Sequence, residues 1–147
     1  MQSPPMRALF GFVAAAVSVL IFHQAMWAAL HELALPGMAM PPPYPMDPIA
    51  PWGVPRIVNL CFWGGLYGIV FGLLQPRFTR PLWFCGLCMG IIAALVGLLL
   101  VPAIKGSAVG AGWPLNWVRS FLINGFWGLG VGLILPLTVG RPRRHLA

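Results

Sequence analysis

Charge is the scarcest feature of this sequence. Only 7% of its 147 residues are charged, and just two of them, Glu32 and Asp47, are acidic. An ordinary soluble domain is about one quarter charged, so this composition excludes a soluble globular fold. Intrinsic disorder requires low hydrophobicity, and it is excluded because hydrophobic types make up 59% of the chain. An integral membrane protein is the class that remains.

Cysteine is also scarce. Cys61, Cys85 and Cys88 are too few for a disulfide framework. Cys85 and Cys88 form a Cys-x-x-Cys pair near a predicted helix start, where a lowered thiolate pKa would favour redox or metal chemistry. Zinc needs about four ligands, and Cys61 is predicted at the opposite end of the membrane. We interpret the pair as apolar packing and keep a redox role as the alternative.

Basic residues give the chain a formal net charge of +7 at pH 7. In a soluble protein this excess would suggest nucleic acid. Here the basic residues flank apolar runs, where such charges set membrane topology and attract anionic headgroups. We therefore expect the lipid bilayer as a partner and no nucleic acid.

The gaps between charges locate four apolar runs of 20 to 24 residues. A helix needs about 20 residues to cross a hydrocarbon core of roughly 30 Å, and a backbone in lipid must bond to itself. The runs do not alternate as β-barrel strands do. The sequence predicts an all-α, polytopic integral membrane protein, a four-transmembrane-helix bundle in a single membrane domain, 1–147. Its parts are helices at about 8–31, 56–75, 82–104 and 117–139, a Pro-rich outer loop 33–55 and a basic tail 140–147.

The first run begins like a signal peptide, with Arg7 before an apolar stretch. The stretch continues through Leu30, and no small-residue cleavage site follows directly, so we expect a retained helix. Eight of the sixteen prolines lie in the loop 33–55, which excludes a helix there. This loop is either a stiff connector or a surface that reaches a partner.

Basic residues also predict the orientation, since they accumulate on the cytoplasmic side. An N-in, C-in arrangement in the cell inner (plasma) membrane places six of them inside and three outside. The short turn 75–81 predicts that the second and third helices are antiparallel neighbours. The inner group is Arg7, Arg77, Arg80, Arg141, Arg143 and Arg144, and the outer group is Arg56, Lys105 and Arg119.

Small residues recur four apart, which lets helix backbones approach closely. These stripes either pack the bundle internally or face a homo-oligomer or another membrane protein. In addition, Phe62-Trp63-Gly64 recurs as Phe126-Trp127-Gly128 at an offset of 64, which indicates either a duplicated helical hairpin or a coincidence. The helix-packing glycines are Gly64, Gly68, Gly72, Gly86, Gly90, Gly128 and Gly132.

Polar side chains near the predicted spans are few. Such residues inside a membrane are usually functional, although a hydrogen-bonded structural role is the simpler interpretation for each histidine. The topology gathers them near the outer interface, and we expect Glu32 to pair with Arg56 or Arg119. The predicted polar cluster is His23, Gln24, His31, Glu32, Arg56, Asn59, Arg119 and Asn124.

Soft ligands follow the first helix. Thioethers and imidazoles suit Cu(I), so a weak metal hypothesis combines His31 with Met38, Met40 and Met46. Methionine is also an ordinary apolar filler.

Catalytic equipment is absent from the sequence: it has no paired carboxylates and no phosphate-binding loop. We therefore expect no enzyme and no cofactor. The leading hypothesis is a small bacterial-type inner-membrane protein that serves as a non-enzymatic accessory, scaffolding or assembly component. The alternative is a small transporter or copper-handling protein that uses the outer His, Met and Glu residues.

Overall fold

Four long helices make up most of the molecule. The structure is a computed structural model that describes residues 2–139. The chain is 72% helical, so the all-α prediction is confirmed. Each helix is long and apolar enough to cross a membrane by length and composition. The basic tail 140–147 lies outside the described residues. The helices are α1 (Pro4–Leu33), α2 (Arg56–Leu74, followed by a 3₁₀ turn at Gln75–Arg77), α3 (Leu82–Ile104) and α4 (Leu115–Val139).

Proline sets several helix boundaries. α2 begins directly after Pro55 and α3 directly after Pro81, and both prolines are extended. Proline at or just before the first turn is favourable because its missing N–H would have no partner there. The predicted boundaries differ from the observed ones by a few residues at most, the largest difference being α1, which begins at Pro4 rather than near residue 8.

The helices form two packed pairs, α1 with α2 and α3 with α4, and the pairs join through α1 and α4. The lateral order is therefore α2–α1–α4–α3. α2 and α3, which were predicted to be antiparallel neighbours, are not packed against each other, because they meet little beyond the short turn that links them. That turn fixes the chain connection at one end, whereas close packing forms where small residues face each other.

Glycine explains why these particular helices pair. A Cβ at Gly68 would overlap the backbone carbonyl of Gly11 on α1, and a Cβ at Gly128 would overlap that of Gly86 on α3. Neither carbonyl can move away without moving its helix. The predicted glycine stripes are thus used inside the molecule, where they let the backbones come into contact.

Reciprocal hydrogen bonds join the two pairs at the centre. Ser18 Oγ donates to the Trp127 carbonyl at 2.6 Å, and Trp127 Nε1 donates to the Ala15 carbonyl at 3.0 Å. Val131 and Leu135 on α4 are fully buried beside them. The core of the molecule therefore lies along α1 and α4.

The two long connections, one between α1 and α2 and the other between α3 and α4, lie at the same end of the molecule, which we call the loop end. The first of them carries two-residue antiparallel strands, β1 (Pro48–Ile49) and β2 (Val54–Pro55), and is otherwise irregular. Within α1 and α3 the helix widens into π turns at Val19–His23 and Val96–Leu100. Such turns occur often at functional sites.

Candidate functional site

Five of the eight residues of the predicted polar cluster line two separate cavities, and Gln24, His31 and Glu32 line neither. Arg56 and Arg119 line a groove at the loop end, which we call the loop groove. His23, Asn59 and Asn124 line a second cavity between α2 and α3, which we call the cleft. Each cavity has a volume of about 670 Å³.

An ion pair closes one side of the loop groove. Arg56 Nε and Nη2 donate to Asp47 Oδ2 at 2.8 and 2.5 Å. The hydrogen bond from Arg56 and its positive charge hold the pKa of Asp47 below its ordinary value. Both side chains are about half exposed, so the pair contributes little to stability.

The predicted ion pair of Glu32 with Arg56 or Arg119 is wrong. Arg56 takes Asp47 as its partner, and Arg119 Nη2 donates to Asn116 Oδ1 at 2.7 Å. Glu32 is exposed near the end of α1. Asp47 is the better partner because β1 and β2 bring the end of the proline-rich loop back to the start of α2, where the Arg56 backbone N–H also bonds to the Asp47 carbonyl.

The proline-rich loop is anchored to α1 rather than extended away from it. Trp27 Nε1 donates to the Pro41 carbonyl at 2.8 Å, and Tyr44 Oη donates to the Leu20 carbonyl at 2.9 Å. The Tyr44 ring therefore reaches the π turn, more than three helical turns from the end of α1 at Leu33. This anchoring favours the interpretation of the loop as a structural element of the bundle.

The four predicted copper ligands have different surroundings. Met38 is buried with Leu30 and Ile123, whereas Met46 is 66% exposed in the loop groove. His31 Nδ1 donates to the Met40 carbonyl at 2.7 Å, which leaves Nε2 of the neutral ring with its lone pair. Among residues 2–139, no group of three or more His, Cys, Asp or Glu side chains is placed to hold a metal. The copper hypothesis stays a prediction.

The cleft has walls of mixed chemistry. At the loop end, it is lined by Lys105, just after α3, and by Asn59, one turn into α2. Deeper, its walls are apolar, with Val70 from α2 and Ala93 and Val96 from α3. Val70 is 56% exposed, so the cleft is open sideways between the two helices.

A chain of three hydrogen-bonding groups leads from the proline-rich loop into the cleft. The Tyr44 backbone N–H donates to Gln24 Oε1 at 2.6 Å, which fixes the orientation of the Gln24 amide. Gln24 Nε2 then lies 3.2 Å from His23 Nδ1. Because an amide nitrogen only donates, His23 Nδ1 must accept, and the proton of the neutral ring lies on Nε2. Gln24 and His23 are 1% and 7% exposed, so this chain is held inside the protein.

The two histidines of α1 are thus set in opposite tautomers. A carbonyl acceptor at Nδ1 leaves His31 with a lone pair on Nε2, and an amide donor at Nδ1 leaves His23 with an N–H on Nε2. His31 is equipped to bind a cation and His23 to bind a hydrogen-bond acceptor. The sequence spacing alone does not distinguish the tautomer of His23 from that of His31.

Several residues of the two cavities were not predicted from sequence. Lys105 reads in the sequence only as a charge that sets topology, although it lies at the mouth of the cleft. Tyr67 lines the cleft wall and Tyr44 anchors the loop. They are the only two tyrosines of the chain. Because a tyrosine in an apolar setting needs a partner for its hydroxyl group, these two rare residues could have been singled out from the sequence.

Comparison with protein family models, curated proteins and solved structures gave no match for this chain. Among the described residues that line the cleft there are hydrogen-bond donors and one cation, Lys105, but no carboxylate and no cysteine. Such a cavity offers hydrogen-bonding groups and a positive charge to a molecule that enters it.

Proposed function

We propose that the chain is a multi-pass protein of a bacterial-type inner membrane that acts without catalysis, as an accessory component that holds a membrane constituent in the cleft between α2 and α3. The observation that carries this proposal is the lateral opening of a four-helix molecule beside a buried polar network. A bundle with only a structural role would be expected to close that side.

The helix perimeter supports membrane embedding. Large apolar side chains such as Leu9, Ile21, Ile92 and Leu133 are 45–57% exposed, and they lie on three of the four helices. In water, an exposed apolar surface of this extent would promote association, whereas in lipid it is the favourable outer surface of a bundle. The N-in, C-in orientation remains part of the proposal.

Orientation is tested by a reporter enzyme fused after Ala147, which should be active only in the cytoplasm. A cysteine introduced at Trp52, which is 85% exposed in the proline-rich loop, should react with an impermeant maleimide from outside. Cytoplasmic labelling of that loop would contradict the orientation, and with it the assignment of the cleft mouth to the outer side.

Use of the cleft is tested with a photo-crosslinking amino acid at Val70. The matched control is Leu133 of α4, which is 45% exposed and does not line the cleft. After irradiation of native membranes, Val70 should give a discrete adduct that is absent at Leu133. Indistinguishable products at the two positions would count against the proposal.

The alternative function, a small transporter or copper-handling protein, is favoured by one observation, the His31 tautomer. A histidine that binds a metal through one ring nitrogen commonly donates a hydrogen bond from the other ring N–H to a carbonyl, as His31 does to the Met40 carbonyl. Cu(I) titration of the intact protein should then weaken in the His31→Ala and Met40→Ala variants. Equal binding by wild type and both variants would remove this candidate.

A further inference from the structure

The two ends of the cleft resemble the two ends of a lipid, since one end is polar and the other is apolar. Its mouth at the loop end carries the ammonium group of Lys105 and the amide group of Asn59. Its deep part is bounded by apolar side chains, including Leu66, Val70 and Val96. The volume of about 670 Å³ lies within the usual range of ligand pockets, roughly 300–1,000 Å³.

His23 adds a donor at an intermediate depth. It lies ten residues before Leu33, which corresponds to about 15 Å along α1 at ~1.5 Å per residue. Its Nδ1 is already occupied by Gln24, and within the described residues Nε2 has no protein partner. An N–H beside a largely apolar cavity is stabilised when an occupant supplies an acceptor. The His23 side chain therefore favours an occupant that carries an acceptor oxygen below its headgroup.

Asn124 of α4 gives the cleft another polar side chain. Its Nδ2 donates to the Ser120 carbonyl at 3.0 Å, so its amide orientation is set within α4. The side chain lines the cleft together with His23 and Trp127. Polar groups of the cavity thus come from α1, α2 and α4, and its cation comes from the end of α3.

From this arrangement we infer that the cleft binds one anionic glycerophospholipid. The phosphate lies at Lys105, an ester or phosphate oxygen accepts the His23 Nε2 hydrogen, and one acyl chain runs between α2 and α3. The inference rests on the proposed use of the cleft and adds the identity of its occupant. Charge complementarity decides for an anionic headgroup, because no carboxylate is among the described residues that line the cleft.

The test uses the full-length protein in detergent and measures bound lipid by native mass spectrometry. Phosphatidylglycerol and phosphatidylcholine with identical acyl chains are compared at equal concentrations. We expect phosphatidylglycerol to bind about five- to tenfold more tightly, as one cation near a headgroup implies. Lys105→Gln should abolish this preference by weakening phosphatidylglycerol binding more than phosphatidylcholine binding, since choline already offsets the phosphate charge in the latter.

Arg119→Gln is the matched control, since it removes the same charge at the same end of the molecule but lies in the loop groove. It should retain the preference for phosphatidylglycerol. An equal loss in Lys105→Gln and Arg119→Gln would show that the net charge attracts anionic lipid without a site, and would overturn the inference.

Two further variants examine the depth of the site. His23→Gln keeps an N–H donor and should retain binding, whereas His23→Leu should weaken it. Because His23→Leu can disturb folding, Val70→Trp provides an independent route: it fills the exposed apolar part of the cleft and should block both lipids. Unchanged binding in Val70→Trp would overturn the lipid site.

Failure of the inference and failure of the proposed function give different results. If a photo-crosslinker at Val70 yields a discrete protein adduct and the lipids show no preference, the cleft is a contact surface and the lipid is wrong. If Val70 and Leu133 yield the same products and Val70→Trp has no effect, both proposals fail.

Discussion

Substitution of Gly68 by alanine probes the contact that holds the first helix pair together. An added Cβ would lie 2.5 Å from the Ala15 Cβ and 2.8 Å from the Gly11 carbonyl carbon. Non-bonded carbon atoms prefer separations of roughly 3.5–4.0 Å. The two helices would therefore have to separate locally by about 1 Å, because a backbone carbonyl has no rotamer with which to avoid the methyl group.

The cost of this separation follows from overpacking. Extra methyl groups in a packed core cost about 1–3 kcal/mol, and we expect the upper part of that range because the obstacle is backbone. The control is Gly97→Ala on α3, where an added Cβ meets nothing within 4 Å. That change should be neutral or should stabilise by up to about 1 kcal/mol, since alanine is the better helix former.

Both variants are compared by reversible unfolding in mixed micelles, with helicity followed by circular dichroism. The expected result is a loss of about 2–3 kcal/mol for Gly68→Ala and none for Gly97→Ala. If Gly68→Ala unfolds within about 0.5 kcal/mol of wild type, the α1–α2 backbone contact is not as close as described. The close backbone contact between Gly128 and α3, which is inferred in the same way, would then also be in error.

Two further predictions concern polar contacts. Arg56→Gln should raise the pKa of Asp47 toward its ordinary value, because the hydrogen bond and the positive charge that lower it are removed. In the wild type, the ion pair stabilises the fold at pH values above the pKa of Asp47 in the unfolded chain, and this contribution is lost as the pH falls through the lower pKa of Asp47 in the folded protein. A ¹³C titration of the Asp47 carboxyl group that is the same in variant and wild type would contradict this. Trp127→Phe removes a donor to a buried carbonyl and should destabilise by about 1 kcal/mol. The half-exposed Trp63 supplies the control, and an equally large loss in Trp63→Phe would argue against a specific role for the Trp127 hydrogen bond.

Much of the helical structure could be predicted because charge and proline mark where a helix cannot continue in lipid. α3 begins and ends where the sequence places it, between Pro81 and Lys105. The pairing of helices could not be predicted in the same way. Gly68 and Gly132 indicate close packing, but a glycine pattern does not name the helix that will lie against it, and chain connectivity favoured the wrong pair.

The candidate site was predicted in its residues but not in its arrangement. His23 and His31 lie on one helix in a sequence with few polar groups, so both could be singled out. Their tautomers depend on Tyr44 and Met40. These partners come from a loop that carries no regular pattern, and their contacts follow only from the folded backbone.

The two tryptophans of the repeated Phe-Trp-Gly triplet explain why a cleft exists at all. Trp127 of α4 is 3% exposed, because α1 lies against that face and accepts its indole N–H. Trp63, the corresponding residue of α2, also lines the cleft but is 55% exposed, because no helix lies against its outer face. If the two hairpins are duplicates, a closed arrangement would press α3 against Trp63 as α1 presses against Trp127. The order α2–α1–α4–α3 makes one of these two contacts and leaves the other open, so the cleft occupies the place of the missing helix contact. An occupant held there would cover the face of α2 that the bundle itself leaves exposed.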